Sequence, residues 1–108
     1  AIVSTGATPV FVDILEDTYL MDTSKIEQVI SPKTKCILPV HLFGQCVDMD
    51  KVNEIAKKHK LFVLEDCAQS HGAKFDNQMA GKPVHCQIFL QLHFTRLKFL
   101  EHLVMVVW

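Results

Sequence analysis

Leu61-Phe62-Val63-Leu64-Glu65-Asp66-Cys67-Ala68-Gln69-Ser70-His71-Gly72-Ala73 is the stretch whose reading decides the fold. Its first four residues are apolar, a run too short for a helix and led by helix-type sequence. They read as a strand buried on both faces. The run passes straight into two carboxylates, then Gln69, His71 and Gly72. A charge placed directly after a buried strand costs free energy unless something pairs with it. In parallel α/β sheets the carboxyl ends of strands are where ligands bind. Asp66 therefore reads either as a residue held to meet a cationic group or as the cap of the following turn.

Upstream, the same pattern occurs twice more. Pro9–Ile14 is a β-branched and aromatic run with Pro at its first position, and reads as a strand. Asp22-Thr23-Ser24 offers N-cap chemistry, with Glu27 three residues after Ser24 as a capping box. Ile26, Val29 and Ile30 supply the i, i+3, i+4 stripe of a helix that Pro32 stops. Lys35–Val40 is the next strand, with His41 at its carboxyl end and Pro39 predicting a frayed or unpaired strand end. Asp48 caps a second helix, Asp50 lies in its first turn, and Met49, Val52, Ile55 and Ala56 are its apolar stripe. The alternation predicts an α/β fold with parallel strands near 9–14, 35–40 and 61–65 and crossover helices near 24–31 and 48–59. Beyond them, Asp76-Asn77 marks the turn of a small hairpin.

Composition narrows the function classes. The 108 residues are 49% hydrophobic and 21% charged, which fits one globular α/β domain rather than a disordered chain. Eleven Lys and Arg against twelve Asp and Glu give a net charge of −1, so no basic excess invites nucleic acid or an anionic membrane. No signal-peptide pattern and no apolar run of spanning length is present, and the expected compartment is cytoplasmic. Cys36, Cys46, Cys67 and Cys86 include no C-x-x-C pair, so they read as small hydrophobes with reduced thiols and not as a metal site. The chain begins mid-pattern without Met, and we expect a fragment.

Four segments in register resemble one family: Gly6–Asp13, Pro39–Gln45, the Asp48-Met49-Asp50 helix start, and Glu65–Ala73. Together they resemble the DegT/DnrJ/EryC1/StrS family of pyridoxal-phosphate-dependent sugar aminotransferases. The likeness covers about residues 6–83. It implies the large domain of a type I (aspartate aminotransferase-like) transferase. It also implies transfer of an amino group from a donor such as glutamate to a nucleotide-linked keto sugar, through the pyridoxamine form of the cofactor. Such sugars serve polysaccharide or antibiotic biosynthesis, and the full-length parent would be a homodimer. By the same resemblance, Asp66 pairs with the cofactor's pyridinium nitrogen and Gln69 contacts its 3-oxygen. His41 and His71 lie near the site by position, with a packing or hydrogen-bonding role preferred for both. The competing class is a non-catalytic α/β interaction module whose apolar tail binds a partner.

Residues 84–108 stand outside this pattern: Val84–Trp108 contains no Gly, Pro, Ala, Ser, Asp or Asn. The family implies here a segment of the form S-F-x-P-T-K-x-L-G, whose lysine forms the Schiff base with the cofactor. The written frame lacks it, and Lys98, without Pro-Thr before or Leu-Gly after, does not replace it. One reading frame over, the codons permit that segment: Met105-Val106 then forces glycine and Gln87-Ile88 forces Asp or Asn. We expect residues 1–83 to be part of a cofactor-binding domain and residues 84–108 an aberrant tail after a frame slip. That tail packs as an opportunistic apolar strand or helix, and a chain of this kind is inactive alone.

Overall fold

Thr34-Lys35-Cys36-Ile37-Leu38, with a β-branched residue at its start and apolar residues at its end, forms the strand around which the sheet assembles. The computed structural model describes residues 2–81 and 104–107. Among them are strands β1 (Thr8–Phe11), β2 (Thr34–Leu38), β3 (Phe62–Val63), β4 (Lys74–Phe75), β5 (Gln78–Met79) and β6 (Val104–Val107), and helices α1 (Ile26–Val29) and α2 (Met49–His59). β1, β6, β2 and β3 lie side by side in that order, every pair parallel. β4 and β5 form a separate antiparallel pair. The three expected strands and two expected helices are all present. β2 and β3 are neighbours, with Cys36 opposite Phe62 and Ile37 opposite Val63.

Side-chain alternation divides this sheet into two unequal faces. Ile37 and Val63 point into a core with Val12, Met21, Ile26, Val47, Val52 and Ala56, which fills the space between sheet and helices. Cys36, Leu38 and Leu64 point the other way, into a smaller cluster with Ala7, edged by Ile2 and Val40. α2 supplies the first core through Val52 and Ala56, and fully burying a side chain such as Val52 stabilises by roughly 1.5–3 kcal/mol. Phe62 is 36% exposed, so the expectation of a strand buried on both faces holds for Val63 and Leu64 but not for it. It lies on the thinly covered face of the strand at the end of the order.

α2 starts where Asp48 Oδ1 accepts the Lys51 N–H, at 3.2 Å. It ends on Lys60 in the left-handed region (φ 56°), with Leu61 N–H donating to Ala56 O at 2.8 Å and Lys60 N–H to Lys57 O at 3.3 Å. This paired closure turns the chain directly from helix into strand. At α1 the expected Ser24/Glu27 capping box does not form. Asp22 Oδ1 instead accepts from Ser24 N and Oγ. Glu27 reaches α2, meeting Lys58 Nζ at 2.9 Å and His59 Nε2 at 2.7 Å.

The expectation at Pro39 also needs correction. Proline removes one donor from the β2–β3 ladder, but the ladder resumes beyond it. Leu64 N–H donates to Ile37 O, Asp66 N–H to Pro39 O and His41 N–H to Asp66 O, at 2.9, 2.9 and 3.0 Å. The strand end is therefore paired, and Pro39 itself is fully buried. The hairpin forms as expected: Asp76 and Asn77 both take positive φ (46° and 64°), the geometry of a two-residue type I′ turn.

Candidate functional site

The ladder that continues past Pro39 sets the site. Its last rung fixes Asp66 to His41 through the main chain, so both lie at the carboxyl edge of the sheet, as expected. Their side chains nevertheless divide between the faces. His41 and Glu65 share the helix side, whereas Asp66, in register with Leu64, belongs to the thinly covered side. One carboxylate of the adjacent pair is thus turned inward and the other outward.

Asp66 is half-buried, and its Oδ1 accepts the Ala68 N–H at 3.0 Å. The local cap and the ligand-facing reading coexist, because one oxygen closes the turn and the other is left over. No cation pairs with Asp66 among the described residues. Gln69 is exposed, and its Oε1 accepts the Phe43 N–H at 3.3 Å. That bond joins the loop after β3 to the turn after β2, where Phe43 (φ 54°) and Gly44 (φ 78°) are both left-handed. For Phe43 this conformation costs of order 1–3 kcal/mol, and it persists because surrounding contacts hold it. The amide nitrogen of Gln69 makes no hydrogen bond among the described residues and remains a donor at the site's rim.

Behind Asp66 lies a polar cluster that sequence reasoning did not assign. His41 is wholly buried; its Nδ1 accepts the Val47 N–H at 3.1 Å and its Nε2 lies 3.0 Å from Glu65 Oε2. Since Nδ1 is an acceptor, the ring hydrogen belongs on Nε2, which donates to the carboxylate. Gly81 N–H donates to the same oxygen at 3.0 Å, tying the end of the hairpin to the sheet. Burial pushes the Glu65 carboxyl up, but the His41 and Gly81 hydrogen bonds outweigh it and hold the group below the usual carboxylate range. A carboxylate straight after an apolar run, with a His at the end of the neighbouring strand, was the available signal. His71 departs from the expected packed role: it is exposed and has no hydrogen bond among the described residues.

His41, Glu65 and Cys67 bring their ligand atoms within 4.8 Å of one another, a distance suited to a metal. The donor directions argue against one, because Nε2 carries the ring hydrogen and has no lone pair to offer. The Cys67 thiol is also pushed up to about 11, by burial and then by the Glu65 charge, with the Ser70 hydroxyl pulling the other way. A thiol of that kind is a poor metal ligand and a slow nucleophile. At pH 8 its thiolate fraction is about one hundredth of that of a thiol titrating at 9. Higher intrinsic nucleophilicity returns part of the rate. Iodoacetamide should therefore alkylate Cys67 about 10–100-fold more slowly in the folded chain than in urea, read by peptide mass spectrometry. Equal rates would show that folding does not disfavour the thiolate. The cavity beside this cluster, lined by His41, Cys46, Met49, Glu65, Phe75 and Met79, holds about 50 Å³. It has room for a water or two but not for a heteroaromatic ring.

Solved structures share this fold over about three quarters of the chain. An aminotransferase from Psychrobacter cryohalolentis is 46% identical with a TM-score of 0.72, over 74% of this chain and 20% of that one. NtdA from Bacillus subtilis, solved with bound cofactor PMP, is 41% identical with a TM-score of 0.68, over 74% and 18%. The fold is that of the type I pyridoxal-phosphate-dependent transferases, of which this sheet is a part. The chain belongs to the DegT/DnrJ/EryC1/StrS aminotransferase family, whose profile matches residues 1–90. Among curated relatives, a dTDP-3-amino-3,4,6-trideoxy-alpha-D-glucose transaminase of Micromonospora megalomicea subsp. nigra is 53% identical over 81 residues, 75% of this chain and 22% of the relative. GDP-perosamine synthase of Caulobacter vibrioides is 45% identical over 84 residues, 78% and 23%. The chain thus spans about a fifth of the length of the relatives it matches. No helix among the described residues is long and apolar enough to cross a membrane.

Proposed function

We propose that this chain carries part of the cofactor site of a sugar aminotransferase, one that moves an amino group from an amino acid such as glutamate to a nucleotide-linked keto sugar. Pyridoxal phosphate, when bound, supplies the electron sink that this exchange needs. Asp66 holds the proton on its ring nitrogen, and the Gln69 amide nitrogen donates to its 3-oxygen. The observation that carries this reading is Asp66 itself. It is a rigidly paired strand-end residue with one carboxylate oxygen left over and, among the described residues, no cation to meet it.

The lysine that would hold the cofactor covalently is absent from its family context in the written frame. Lys98 and the rest of 82–103 lie outside the described residues. Residues 84–108 follow a frame slip on this reading, and the nucleotide sequence across codons 80–90 tests that directly. The full-length parent is a cytoplasmic homodimer, and this chain alone is inactive.

Pyridoxamine 5′-phosphate, followed by its own fluorescence, tests the site. The chain should bind it saturably at millimolar concentration, and Asp66→Asn should weaken binding about 10–100-fold, the worth of one hydrogen bond to a charged group. Equal binding by Asp66→Asn would remove Asp66 from the site.

A further inference from the structure

His41 grips two consecutive residues at once. Its main-chain N–H bonds Asp66 O at 3.0 Å, while its ring bonds the Glu65 carboxylate at 3.0 Å. The ring is in turn fixed by Val47 N–H, and Glu65 is fixed from its other side by Gly81 N–H. The Glu65 side chain is 10% exposed and the His41 side chain not at all, so neither moves without breaking these bonds. Both groups bonded to Glu65 are neutral donors. They localise its negative charge without cancelling it, one residue from Asp66.

We infer that Glu65, locked by His41, is a positioning residue for Asp66 and a second source of negative potential at the strand end, which thereby selects a ligand presenting a cationic ring nitrogen. This inference rests on the proposed cofactor role of Asp66 and deepens it. The inward carboxylate cannot touch the ligand, because alternation places it on the other face of the sheet. It acts through the fixed backbone of its neighbour and through the field it adds.

The test compares two probes, pyridoxamine 5′-phosphate and its 1-deaza analogue, which has a ring CH in place of the nitrogen. Glu65→Gln keeps an oxygen that can accept from His41 and Gly81 but loses the charge. It should weaken pyridoxamine phosphate about 3–10-fold, the effect of one partly screened neighbouring charge, and leave the deaza analogue unchanged. Glu65→Asp keeps the charge and should restore the preference for the nitrogen-containing probe. Equal weakening of both probes by Glu65→Gln, or no weakening, overturns the inference, and so does loss of the preference in a folded Glu65→Asp chain. Should Glu65→Gln fail to fold, His41→Asn decides: with the lock cut and the carboxylate kept, the preference for the nitrogen-containing probe should fall, and an unchanged preference overturns the inference. Asp66→Asn serves as the control: if it binds both probes as the parent chain does, the cofactor reading itself has failed. If Asp66→Asn loses the preference while Glu65→Gln keeps it, only the role of Glu65 has failed.

Discussion

Val106→Pro should abolish the cooperative urea unfolding of the chain, read by circular dichroism, whereas Glu16→Pro in the exposed turn before Tyr19 should move the midpoint little. The reason lies in the strand order. β6 is the partner of β1 among the described residues and pairs with β2 on its other side, with Val106 opposite Val10 and Ile37. A proline in the middle of a central strand removes a ladder donor and sets its ring against the neighbouring strand, which is why proline is confined to edge strands, strand starts and bulges. A domain of this size has roughly 5–15 kcal/mol in total. Detaching β6 also separates β1 from β2, so the loss extends beyond one hydrogen bond. An unchanged midpoint in Val106→Pro would show that β1 is held to the sheet by other means.

That strand also marks where reading the sequence stops. β2, β3 and α2 were legible because each carries its own punctuation: Asp48 caps, Lys57 and Lys58 sit in the last turn, and the apolar run after Lys60 is too short for anything but a strand. The Asp76-Asn77 turn was legible for the same reason, since few residue pairs tolerate two successive left-handed conformations. The place of Val104–Val107 between β1 and β2 was not legible. Main-chain pairing is largely indifferent to which β-prone residues supply it, and no local period records which distant segments become neighbours. The tail was expected to pack as an apolar strand or helix without a choice between them; Val104–Val107 form a strand, and its insertion inside the sheet was not foreseen. Glu27 failed as a capping residue for a related reason: Lys58 and His59 of α2 come within its reach only after folding, and it bonds them instead of its own helix start.

The site was half legible. Asp66 and Gln69 stand where the strand-to-loop junction placed them, and the carboxyl-edge rule brought His41 beside them. What spacing could not show is which of two adjacent carboxylates faces the helices. That depends on the register of β3 against β2, fixed by the rungs from Leu64 to Ile37 and from Asp66 to Pro39. A shift of one residue would exchange Glu65 and Asp66 between the faces. The bond between His41 and Glu65 is therefore a register lock as well as a polar contact.

His41→Leu should consequently be strongly destabilising, although it leaves the main-chain rung to Asp66 in place. Leucine fills most of the space but offers neither the acceptor that Val47 N–H uses nor the donor that Glu65 uses. Each buried group left without its partner costs on the order of 1–3 kcal/mol, and more where the group is charged. Glu65 keeps the Gly81 N–H, so its loss is partial, and the two together come to roughly 2–6 kcal/mol. The check is a double-mutant cycle in urea with Glu65→Leu. Each single change should lower stability steeply, and the pair should cost at least about 1 kcal/mol less than their sum, because removing both partners of a buried bond is cheaper than orphaning one. In the double variant the Val47 and Gly81 N–H groups are both left without these acceptors, so stability should not return fully to that of the parent chain. Simple additivity would mean that His41 and Glu65 are held independently. The strand end carrying Asp66 would then owe its register to the main-chain rungs alone.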